Sequence, residues 1–70
     1  KMSEIERMNL ERQRWENSLR GAKERIKENP NDLDAYGHAM SACYRLGRDS
    51  EADQLENEYY NRKIRLDKQK

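Results

Sequence analysis

Apolar side chains recur every three or four residues along most of this chain, and the phase of that recurrence changes at two breaks. In the first stretch Ile5, Met8, Trp15, Leu19, Ala22 and Ile26 form a seam of alternating threes and fours, interrupted only by Arg12. Ser3 followed by Glu6 has the form of a capping box, which satisfies free backbone N–H groups at a helix start, and Met2 stands where a staple residue would. These positions predict a helix over residues 3–28 that passes Gly21 at a cost of about 1 kcal/mol. Pro30 ends it by turning Asn29 away from helical angles.

A second helix is expected over 32–46, capped by Asn31 or Asp32 and closed by Gly47 in the left-handed conformation. Its apolar residues, Leu33, Ala35, Tyr36, Ala39, Met40, Ala42, Cys43, Tyr44 and Leu46, surround most of the circumference, as a helix with neighbours on two sides requires. The alanines at 35, 39 and 42 allow a neighbour to come close. A third helix is expected over 49–67, capped by Asp49 or Ser50, with a frayed basic tail at 68–70. Ala52, Leu55, Tyr59 and Leu66 lie on one side of it, with Tyr60 and Ile64 on an adjacent face. Short links make consecutive helices antiparallel, so the expected fold class is all-α: a single module of three antiparallel helices, the first unusually long.

Composition narrows the picture. One small core of this size rarely supplies more than roughly 3–5 kcal/mol, and with 33% hydrophobic against 41% charged residues this one is thin. A net charge of +1 gives no general attraction to nucleic acid or to an anionic membrane, although the distribution is uneven. The balance is +2 over residues 1–28, −5 over 32–60 and +4 over 61–70. Cys43 is the single cysteine, which excludes an internal disulfide and fits an intracellular, cytoplasmic setting. No apolar run is long enough for a membrane span or a signal peptide. Because the chain opens on Lys1, it is also readable as a fragment of a longer protein.

The punctuation at the centre resembles the tetratricopeptide repeat: Pro30-Asn31-Asp32, aromatic Tyr36, small Ala39 and Ala42, Gly47 between helices, and Glu51-Ala52 opening the third. The intervals from proline to aromatic to glycine to Glu-Ala follow that family's period of about 34 residues, so about one and a half divergent repeats are covered. Met40, Glu56 and Tyr59 depart from the pattern, as a divergent or capping repeat would. Half-a-tetratricopeptide repeats, with similar hairpins, fit the same motifs. The resemblance implies a protein-binding scaffold or adaptor whose concave groove is lined by the helix over 32–46. In chaperone-tail-binding repeats that surface carries a lysine and an asparagine; Gly37 and Ser41 stand there here, so a carboxylate clamp is not expected.

On that helix Asp34, His38, Ser41 and Arg45 fall on one polar line with Gly37 beside it, and these five are the candidate binding residues for a peptide or partner helix. A polar line is also what any exposed strip of helix shows; Gly37 sharpens the binding case, because a mid-helix glycine lets another backbone approach. Catalytic, cofactor and metal sites are not expected. His38 and Cys43 are five positions apart and point to different sides, Cys43 reads as core, and the three glycines stand alone rather than in a phosphate loop. The chain therefore reads as no enzyme.

The first helix is about 39 Å long against about 22 Å for the second, so Ile5, Met8 and Leu10 are expected to project beyond the hairpin. Ile5, Met8, Arg12 and Trp15 become the candidate contacts for a second copy, for another protein, or for a preceding helix of a longer array. The alternative function is accordingly a homo-oligomerising helical hairpin or coiled-coil structural domain. Nucleic acid is the weakest class. It rests on Tyr59 and Tyr60 ahead of Arg62, Lys63 and Arg65, and core packing of Tyr59 explains those residues more simply.

Overall fold

The computed structural model describes residues 2–69; Lys1 and Lys70, the latter in the expected 68–70 tail, lie outside it. The chain is all-α, with α1 at Glu4–Glu28, α2 at Leu33–Arg45 and α3 at Asp49–Lys68. α3 thus keeps Lys68 within the helix. Helix α2 packs closely on both neighbours, which touch each other only through side chains such as Lys23 and Glu51, and the short links make each consecutive pair antiparallel. None of the three is long and apolar enough to cross a membrane.

Each helix start is explained by a local interaction or its absence. At α1 the Glu6 amide donates to Ser3 Oγ at 3.2 Å, while the Ser3 hydroxyl donates to Glu6 Oε1 at 3.1 Å. Met2 is exposed rather than stapled, because the position it would meet is Arg7, which offers no apolar partner. Between α1 and α2 the Asn29 side chain accepts from the Asn31 amide at 3.1 Å. Of the two candidate caps Asp32 takes the role. Its Oδ1 accepts from the Ala35 amide at 3.2 Å, and its Oδ2 receives Arg25 at 3.0 Å.

The end of α2 is a Schellman turn. Gly47 has φ +73°, the Arg48 amide donates to the Cys43 carbonyl at 2.8 Å, and the Gly47 amide donates to Tyr44 at 3.2 Å. This turn runs straight into α3. As a result Arg48, not Asp49 or Ser50, occupies the cap position, and no side chain caps the helix. Asp49 and Glu51 in the first turn still complement the helix dipole.

The core is small and built from small residues. Leu19 and Ala22 of α1, Tyr36, Ala39, Ala42 and Cys43 of α2, and Ala52 and Leu55 of α3 form it, with Trp15, Ile26, Leu33, Met40, Leu46 and Tyr59 at its margin. Alanine at so many contact positions lets the helices approach closely, in place of large interlocking side chains. One expected feature differs. Tyr44 belongs by sequence to the apolar girdle of α2 but is 52% exposed, on a side that faces acidic residues of α3 rather than the core. Ion pairs link elements: Lys23 meets Glu51 of α3 at 2.9 Å, and Glu16 meets Arg48 at 4.0 Å.

The molecule is elongated, with extents of 54 × 21 × 14 Å. Its radius of gyration of 14.5 Å exceeds the value of about 11 Å expected for a compact domain of this length. The cause is the mismatch of helix lengths: α2 with 13 residues covers only part of α1 with 25.

Candidate functional site

Two surfaces carry the residues singled out in the sequence, and they lie on different parts of the molecule. The first is a groove between α2 and α3. Asp34, Gly37, His38 and Ser41 supply its polar edge, and Leu33, Met40 and Tyr59 supply its apolar part, bordering a shallow, open volume of about 570 Å³. Asp34, His38 and Ser41 are exposed and Gly37 is half-buried. A Cβ built on Gly37 would meet nothing within 4 Å, and its φ is not positive. Neither backbone conformation nor intramolecular packing therefore requires glycine there.

Arg45 does not join this groove. It sits at the last turn of α2, where its guanidinium lies over the Trp15 ring, 5.3 Å from the centroid. There it lines a second cleft of about 380 Å³ with Ile5, Met8, Arg12, Trp15 and Leu46 among its walls. The candidate set on α2 is thus divided, and Arg45 belongs with the candidate set on α1. Trp15 is half-buried, with one side against the core and another in the cleft, whereas Ile5 and Met8 are 71% and 61% exposed. A tryptophan with a cation over one face and open space beside it is the kind of side chain that anchors protein contacts.

The sequence reading missed Leu33, Met40 and Tyr59 as groove walls and Leu46 as a wall of the cleft. A signal for Leu46 was present: counting back from the turn at Pro30 through two antiparallel helices brings the end of α2 beside the middle of α1. The role of Tyr59 depended on which side of α2 the third helix takes. Tyr59 is half-buried and Tyr60 leans on it edge-on, centroids 5.3 Å apart, so of this pair only Tyr60 offers an open ring.

Electrostatics separate packing groups from surface groups. Cys43 is fully buried, and burial pushes its thiol up from the ordinary 9.0, with Glu51 adding to the rise and Lys23 and Arg48 opposing it. It stays protonated at neutral pH and acts as a small core side chain. Tyr44 is also raised, by local desolvation and by the carboxylates Glu56, Asp53 and Asp49 along α3. Among the described residues no group of three His, Cys, Asp or Glu side chains is placed to hold a metal ion. Comparison with protein families, with curated proteins and with solved structures found no match to this chain.

Proposed function

We propose that the chain is a protein-binding module, a scaffold or adaptor unit of tetratricopeptide-like character, which receives a peptide or partner helix in the groove between α2 and α3. The observation that carries this reading is Gly37. Glycine in a helix interior costs about 1 kcal/mol relative to alanine, and here no internal contact or backbone angle requires it. Its surroundings suit a peptide backbone, with apolar walls from Leu33, Met40 and Tyr59 and hydrogen-bonding groups from Asp34, His38 and Ser41. The proposed setting is cytoplasmic, and the reading contains no catalytic step.

The test places a photo-crosslinking amino acid at Ser41 and, as a control, at Lys27, which is exposed and outside the groove. In extract of the source cells the first position is expected to yield a discrete protein adduct that the second does not. Gly37→Arg, which fills the groove, should abolish that adduct while helicity by circular dichroism is retained. Identical adducts from both positions, or an adduct indifferent to Gly37→Arg, would refute the groove.

A further inference from the structure

Residues 32–60 carry a net charge of −5, and the fold distributes that charge unevenly around the α2–α3 pair. Both cations of the span turn toward α1: Arg45 lies over Trp15, and Arg48 reaches Glu16. Two of its carboxylates are neutralised from the same direction, Asp32 by Arg25 and Glu51 by Lys23. The groove side keeps its acids without counter-charge. Asp34 lines the groove, while Glu56, Asp53 and Asp49 face Tyr44 from α3, and among the described residues no cation stands within 4.0 Å of any of these four.

We propose that the occupant of this groove is a cationic segment of a partner protein, carrying an arginine or lysine on each side of an apolar residue. The inference rests on the groove reading and adds the chemistry of its ligand.

Two kinds of side chain ask for the same charge. Gly37, Ser41 and Tyr44 follow one another at four and three residues on one side of α2, so the groove continues past Ser41 to the Tyr44 ring. On α3, Asp49, Asp53, Glu56 and Tyr60 repeat at four, three and four residues along a line beside Tyr59. Tyr44 and Tyr60 are each 52% exposed, and an open tyrosine face attracts a guanidinium or ammonium group through the quadrupole of the ring. The carboxylates attract the same group by simple charge, whereas an acidic segment would meet like charge here. Lys63 is the next cation along that line of α3, one turn beyond Tyr60, so the Tyr44 end is the more acidic end of the groove.

The spacing of the ligand follows from the helix rise. Asp34 and Tyr44 are ten residues apart on α2, which is about 15 Å. An extended segment advances about 3.3 Å per residue, so cations roughly four or five residues apart reach both ends. The apolar residue between them then lies over Leu33, Met40 and Tyr59.

Affinity selection from a displayed heptapeptide library on the intact chain provides the test. The expected sequences carry two Arg or Lys residues about four or five apart, and their binding should be lost in Gly37→Leu, which fills the groove without changing its charge. By fluorescence anisotropy a selected peptide should bind Asp53→Lys at least about 10-fold more weakly, whereas Glu58→Lys, the same charge change on the side of α3 toward Lys23 and Ile26, should cost less than about threefold. Both positions are exposed, so neither change disturbs the core. Neutral or acidic sequences that Gly37→Leu abolishes, or equal losses from the two charge reversals, overturn the cationic ligand and leave the groove standing. A selection that enriches nothing, or only sequences indifferent to Gly37→Leu, overturns the groove and the cationic ligand together.

Discussion

Gly37 and Gly47 show one residue type under opposite demands. At Gly47 the φ of +73° closes the Schellman turn, so Gly47→Ala should lower stability by about 1 kcal/mol in urea unfolding. At Gly37 the helical backbone accepts a Cβ that meets no atom, so Gly37→Ala should raise stability by about 0.5–1 kcal/mol. The two changes have the same chemistry and opposite signs. Cys43 sets a pH dependence at the same scale. Its folded-state pKa lies above the ordinary 9.0, so the folded chain retains a proton that the unfolded chain releases. Its contribution is fully present below about pH 9 and is lost as pH rises through the folded-state value. Urea midpoints measured across alkaline pH should fall, and Cys43→Ala should flatten that fall.

At the scale of elements, the caps decide where small changes matter. Asp32 both caps α2 and holds Arg25, with one oxygen for each task, so Asp32→Ala should cost about 1–2 kcal/mol, most of it from the cap. α3 is the uncapped helix. Arg48→Ser should gain up to about 1 kcal/mol there, because the distant contact to Glu16 at 4.0 Å contributes little at an exposed site. Thermal melting of the two variants should therefore shift in opposite directions. The first half of α1 depends on its own cap at Ser3, since α2 does not reach it.

For the whole molecule, α2 holds the assembly together, being the one helix packed on two sides. Native-state hydrogen exchange should rank Tyr36 to Cys43 as the slowest amides and residues 5–12 among the fastest in the helices. Comparable protection in both segments would contradict this order. Elongation has a single origin, a long helix beside a short one, and its consequence is an open seam at one end.

Three helices in this order, the breaks at Pro30 and Gly47, and the overhang of α1 were legible because each follows from local rules: apolar period, capping chemistry and rise per residue. Placement between helices was not. Whether Arg45 belongs to the groove or to Trp15, whether Tyr44 is covered, and which α3 side chain walls the groove depend on the rotation of each helix about its neighbour. That rotation is set by how alanine-rich faces settle against one another and by the geometry of two short turns, and periodicity along a single helix carries no information about either.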